Sequence, residues 1–318
     1  MREIFTLDSA FARLDSIRSS KGETLHPLSR RASESALLLL RLLCTAPGPL
    51  PGPEIHRLAA SWLSDPSLSV TDLPSWLPKK GVRYSLSPGR MDEARKGVRA
   101  SLDGGLWIVA LENPSNPGGD LPRCPQFLLG RGTLSPEDSW IVFFNSRKPR
   151  SISRKARWLR FLRDSLNRLP AFGYGLATSV GTLTYDLAAA FARSRNIPLL
   201  LCLPFAHGSS GPVNGLPSIS PTLPCRAALS CLPATVVCPK AVRMQCRDRI
   251  LAILADVRVL LEIRRQGTLL EMLSIEQRHR PRPQLVMLPD SPTPSNEGNL
   301  EILKDFPSWS LPISPGEP

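Results

Sequence analysis

The sequence predicts an α/β protein: a Rossmann-like, mostly parallel sheet flanked by helices, preceded by a small helical domain. Two observations carry this. From about residue 139 to 288, short apolar runs of strand length alternate with helical stretches. In one sheet that alternation requires parallel strands joined by right-handed crossovers. Before residue 104 the periodicity is helical and broken by proline and glycine, as in a set of short packed helices.

The elements follow in order. Residues 1–33 read as a polar N-terminal extension, with a short helix at 8–18. Ser33 opens a helix whose apolar run reaches Leu43. The break at 47–53 follows, then a helix around 54–63. A further helix at 89–103 carries Met91, Ala94 and Val98 on one face. Strands are expected at 106–111 and 126–130, and a buried strand at 139–144. The helix 152–169 presents Leu159, Leu162, Leu166 and Leu169 to the core. Then come a strand at 174–178, a helix at 182–195 and a central strand at 197–204. After these the pattern gives a strand at 235–238, a helix at 242–254, a strand at 257–263, a short helix at 268–275 and a strand at 284–288. The end reads as a loose tail. The division is 1–33 extension, 34–113 helical domain, 114–306 Rossmann-like domain and 307–318 flexible tail.

Composition excludes several classes. The chain has 318 residues, 42% hydrophobic and 21% charged, a globular balance. The most apolar run, 36–46, is interrupted by Arg41 and falls short of the roughly 20 residues a membrane span needs. The N-terminus lacks an apolar signal region, so a cytoplasmic protein without membrane association is expected. The 7 cysteines are odd in number and never spaced CxxC, and the 4 histidines never pair at HxxH. Free thiols, no metal and no cofactor are therefore expected.

Net charge is +13. Between 141 and 168 stand 9 basic residues against the single acid Asp164. Arg154, Arg157 and Arg160 step by three along the expected helix and form a stripe suited to a polyanion, with Trp158 near enough to offer a stacking face.

Ligands of open parallel sheets bind beyond the strand carboxyl ends. After the strand at 139–144 come Asn145, Ser146, Arg147 and Lys148, a hydroxyl and two cations that suit phosphate. Ser179 to Thr182 runs into a helix start, Lys240 precedes Arg247 and Arg249 on a helix, and Gly267-Thr268 opens another. Arg147 and Arg247 are expected to converge at one sheet edge. No GxGxxG and no GxxxxGK[ST] occurs. No nucleophile elbow or paired catalytic carboxylates stand out.

These segments resemble the DNA-processing protein A (DprA) family. "FNSRKPR" resembles the family's Gly-Ser-Arg-Lys strand end: Ser146, Arg147 and Lys148 match, and Asn145 replaces glycine. "SVGTLTYD" is similar to Ser-Gly-Leu-Ala-Arg-Gly-Ile-Asp, with Ser179 and Asp186 retained and Leu183 in place of arginine. "RDRILAILADVRVLLEIRRQGTL" resembles the family's Arg-Asn-Arg helix, strand and Ser-Gly-Ser-Leu loop, retaining Arg247, Arg249, Gly267 and the hydroxyl of Thr268. "LVMLPDSP" and "EGNLEIL" resemble the terminal strand and Gly-x-Asn helix, with Asp290 where glycine is usual. The resemblance implies a non-catalytic single-stranded DNA-binding protein of DNA uptake and recombination, a homodimer that presents DNA to a RecA-type recombinase. The rivals are a nucleotide phosphoribohydrolase-like enzyme, echoed by Gly267-Thr268-Leu269-Leu270-Glu271, and a nucleotide-sensing domain.

Overall fold

The computed structural model describes residues 3–17, 25–27, 29–44, 54, 57–58, 61–62, 65, 68, 70–82, 88–111, 127–134, 138–146, 156–203, 225–230 and 240–314. The expected strand at 235–238 lies outside the described residues, as does most of the expected helix around 54–63.

The described strands form one ten-stranded sheet in the order β1-β2-β3-β7-β6-β5-β4-β8-β9-β10. They are β1 (Leu25–Pro27), β2 (Leu106–Leu111), β3 (Phe127–Gly132), β4 (Trp140–Phe144), β5 (Gly175–Thr178), β6 (Leu199–Leu203), β7 (Cys225–Ser230), β8 (Val257–Leu260), β9 (Gln284–Met287) and β10 (Ser310–Ile313). From β7 to β10 every neighbouring pair is parallel. β1, β2 and β3 pair antiparallel, and β3 meets β7 antiparallel. The block β6-β5-β4-β8-β9-β10 reads 3-2-1-4-5-6 in chain order, which is the doubly wound dinucleotide-fold order. The chain builds outward from β4 in one direction, then crosses back to β8 on the other side of β4.

The helices described from end to end are α1 (Leu7–Ile17), α2 (Arg30–Cys44), α3 (Leu73–Lys79), α4 (Pro88–Asp103), α5 (Arg157–Arg168), α6 (Leu183–Ser194), α7 (Lys240–Leu254), α8 (Thr268–His279) and α9 (Gly298–Asp305). Alternation on β4 sorts them onto two faces. Trp140, Val142 and Phe144 join α7, α8 and α9 in one core. Ile141 and Phe143 join α1, α5 and α6 in the other. Both faces are covered, so β4 and β6 are apolar at every position, in keeping with the near-continuous apolar runs of parallel strands. A third core joins α2 and α4 with Trp62 and Trp76, and reaches Ile108 and Leu129 of the antiparallel strands. Met91, Ala94 and Val98 are buried there, on the face the periodicity assigned.

Both chain ends differ from expectation. α1 is not a polar extension: Ala10, Phe11 and Leu14 are buried in the core shared with α5 and α6. Each of the two large side chains contributes about 1.5–3 kcal/mol by the area removed from water. The tail is not loose across 310–313, because β10 adds in parallel to β9. The ends also meet, since the Phe5 N–H donates to Pro312 O at 2.9 Å. The reason is the sheet edge: β9 exposes unpaired backbone groups, which β10 covers. β7 was not anticipated. Its small-residue run, CRAALS, lacks both alternation and bulk, yet it joins the parallel and antiparallel halves.

Candidate nucleic-acid interface

The crossing from β7 back to β8 puts the topological switch point between β4 and β8, where doubly wound sheets hold their ligands. The loops at that point are tied together. Leu261 N–H donates to Phe144 O at 2.9 Å, and Ser146 N–H to Glu262 O at 2.9 Å. Arg264 N–H donates to Ser146 Oγ at 2.7 Å. The Ser146 hydroxyl thus spans the mouth of the crevice.

The floor is held by Asn299, which is wholly buried. Its Oδ1 accepts from Ile263 N–H at 2.9 Å, and its Nδ2 donates to Leu261 O at 2.7 Å and Met287 O at 2.6 Å. One amide therefore fixes the ends of β8 and β9 and the start of α9. Gly298 is needed beside it: a Cβ there would stand 2.7 Å from Ile263 O. The Gly-x-Asn segment acts as a clamp on the strand ends.

Gly267 is the N-cap of α8, and Thr268 at its start is exposed. Arg264 and Arg265 are exposed on the same loop, with Arg265 paired to Glu297 and Glu301 at 3.3 and 3.0 Å. Gln266 takes φ 54° to turn the chain into the helix.

α5 begins on the same edge, since it follows β4. Arg157 and Arg160 are half-buried in its first turn. Arg157 is held below its ordinary pKa by burial and then by the neighbouring Arg160 charge. It pairs with Asp290, which follows β9. The first turn carries no acid, and N-cap Ala156 supplies no side-chain acceptor. Cations therefore stand where the helix dipole is already positive.

The other expected ligands are placed differently. Ser179 is fully buried, its hydroxyl donating to Cys202 O at 2.5 Å. Asp186 is exposed and accepts from Gly181 N–H at 3.0 Å, closing the turn into α6. Partial desolvation nevertheless pushes its carboxyl up, opposed by that N–H and by Arg247. Arg247 reaches the β5 edge but is only 1% exposed. Its guanidinium donates to Val180 O at 3.0 Å and to Asp248 Oδ1, and stacks 4.8 Å from the Tyr185 ring centre. Arg249 is turned inward between α7 and α8, paired with buried Glu276 at 2.6 Å. Neither arginine is offered to a ligand at the surface, because each answers a buried carboxylate, carbonyl or ring. Arg147, Lys148 and Arg154 lie outside the described residues, so the expected meeting of Arg147 and Arg247 does too. Lys240 starts α7, at the same edge.

On α5 the core face is wider than the leucine ladder. Trp158 and Phe161 are buried with Leu162 and Leu166, while Leu159 is half-buried. Trp158 therefore belongs to the core and is no stacking platform. Arg163 is exposed beside Asp164, and Arg168 pairs with Asp8 of α1. One residue was missed. Asn145, just past β4, has both amide atoms shielded from solvent and no hydrogen-bond partner. Its only signal in the sequence is the replacement of a glycine.

The fold is doubly wound. No family profile and no curated protein matches the chain. Among solved structures it is similar to DNA processing protein A from Helicobacter pylori, described for its single-stranded DNA binding mode, at 15% identity and TM-score 0.48, over 64% of this chain and 90% of that one. It is also similar to DNA processing protein A (DprA) from Streptococcus pneumoniae, at 11% identity and TM-score 0.48, over 98% of this chain and 95% of that one. Among the described residues no three His, Cys, Asp or Glu side chains gather as a metal site, and no helix is long and apolar enough to cross a membrane.

Proposed function

We propose that this protein binds single-stranded DNA without catalysis, across the carboxyl edge of its parallel sheet. The observation that carries the reading is the pair Arg157 and Arg160 in the first turn of α5, at the switch point, with no acid in that turn. Two guanidinium groups there repel each other and the helix dipole, with Asp290 paired to Arg157. An anionic ligand reverses both terms. Exposed Arg264 at the end of the β8 loop adds a cation at the same mouth. Ser146 and the N-terminus of α8 offer the hydroxyl and N–H donors that phosphate oxygens take.

Single strands are favoured over duplex by the sequence resemblance, which also implies a homodimer and delivery of DNA to a RecA-type recombinase. Glu271, the carboxylate in the enzyme-like echo, is exposed in the first turn of α8. A glycosidic acid catalyst is served by partial burial that raises its pKa.

The test is fluorescence anisotropy with single- and double-stranded oligonucleotides, beside an assay for free base released from nucleoside monophosphates. Tighter binding to the single strand with no base release supports the reading. Release of base that disappears in Glu271→Gln overturns it in favour of the enzyme.

A further inference from the structure

The strongest unassigned feature is Asn145. It is the first residue beyond β4, the strand at which the sheet order reverses. Both amide atoms are hidden from solvent and neither finds a partner. An unpaired buried donor or acceptor costs about 1–3 kcal/mol, and such groups concentrate at functional sites. The adjacent Ser146 does not satisfy it, since its backbone N–H and its Oγ lone pair already have partners. Ser146 N–H donates to Glu262 O, and Ser146 Oγ accepts from Arg264 N–H.

The chemistry of the amide selects its ligand. Nδ2 offers two donors and Oδ1 accepts. Phosphodiester oxygens only accept, so a backbone phosphate satisfies Nδ2 and leaves Oδ1 unpaired. Satisfying both atoms takes a planar edge that carries a donor beside an acceptor. In a nucleic acid that is a base edge, as in the two-point pairing of asparagine with adenine.

We propose that Asn145 reads a nucleobase edge at the switch point, while Arg157 and Arg160 hold the adjacent phosphates. The inference rests on the nucleic-acid reading above and assigns it a base-specific subsite. The N6 donor and adjacent ring-nitrogen acceptor of adenine fit the amide directly.

The experiment compares oligo(dA), oligo(dT) and an abasic strand of equal length, on wild type, Asn145→Ala and the near-isosteric Asn145→Leu. Wild type should bind oligo(dA) about tenfold tighter than the abasic strand, the value of one good two-point pair. Both variants should lose that difference and keep the abasic affinity. Asn145→Leu should also raise the melting temperature of the free protein, because it removes an unpaired buried amide. A wild type that binds oligo(dA) and abasic strands equally, or variants that keep the preference for oligo(dA), would overturn the base-reading role and leave DNA binding intact. A melting temperature lowered by Asn145→Leu would show that water or protein already satisfies the amide, and would overturn it as well. Absence of binding to any strand would instead remove the nucleic-acid reading itself.

Discussion

Arg264 and Ser146, 118 positions apart, are joined across the switch point by a 2.7 Å hydrogen bond from the Arg264 N–H to the Ser146 hydroxyl. The bond ties the loop after β4 to the loop after β8. Ser146→Ala should cost about 1 kcal/mol in urea unfolding, the usual net value of one such bond. Its effect on single-strand affinity should be larger than that loss, since the loops that frame the crevice come apart. Ser146→Thr keeps the acceptor and should restore most of both.

Arg249 and Glu276 are a buried ion pair, 2.6 Å apart. Breaking a buried, hydrogen-bonded ion pair by removing one member costs about 3–5 kcal/mol. Arg249→Met should therefore lower the denaturation midpoint sharply. The double variant Arg249→Met with Glu276→Leu should recover much of that loss. DNA affinity measured on the folded fraction should stay unchanged in both. A selective loss of affinity at full stability would return Arg249 to the ligand site.

Arg157 and Arg160 make a salt-dependence prediction. Each phosphate neutralised on a single strand contributes a slope of about −0.7 in log affinity against log salt. Replacing both with Gln should flatten the slope by about 1.4 and weaken all sequences alike. An unchanged slope with intact circular dichroism would make the two arginines a solvated face.

Asp8 and Asp186 should respond to pH with opposite sign. The Arg168 side chain bonded to Asp8 holds that carboxyl below its ordinary value. Its contribution is therefore present above about pH 3.9, the unfolded value, and is lost as pH falls through the folded value. Asp8 is exposed, so the effect stays below about 1 kcal/mol. Burial raises Asp186, so the folded state holds that proton more tightly than the unfolded chain does. Its contribution is favourable in acid and is lost as pH rises through the folded value. Asp8→Asn should thus lower the melting temperature at neutral pH and match wild type in strong acid. Asp186→Asn keeps an acceptor for Gly181 N–H and should raise it at neutral pH relative to acid. Thermal melts from pH 7 down to about pH 2 check both, a window that extends below the ordinary carboxylate value.

The alternation of apolar strands with helices was legible because both faces of the sheet are covered. β4 and β6 then become continuous apolar runs, as "IPLLLCLP" is. β7 was not legible, because its small residues gain their place from β3 and β6 and not from their own pattern. α1 and β10 were misread for a related reason. In α1 polar residues are interspersed with the apolar ones, so the core-facing set that includes Ala10, Phe11 and Leu14 does not stand out as a run. At the site, position along the chain located the strand-end loops correctly, but it could not tell which arginines face out. Arg247 and Arg249 are buried, the first against the Tyr185 ring and Val180 O, the second against Glu276, all distant in sequence, whereas Arg157 and Arg160 are only half-buried. The unpartnered amide of Asn145 could be recognised only once its neighbours' hydrogen bonds were known.

The most direct measurement is a hydrogen-exchange footprint of the protein with and without a single-stranded oligonucleotide. The account predicts added protection at 144–146, 157–160, 262–268 and 297–299, all at the carboxyl edge of the parallel sheet. Protection confined to the opposite edge, around Arg282 and Trp309, or to the helices α2 to α4 alone, would contradict it.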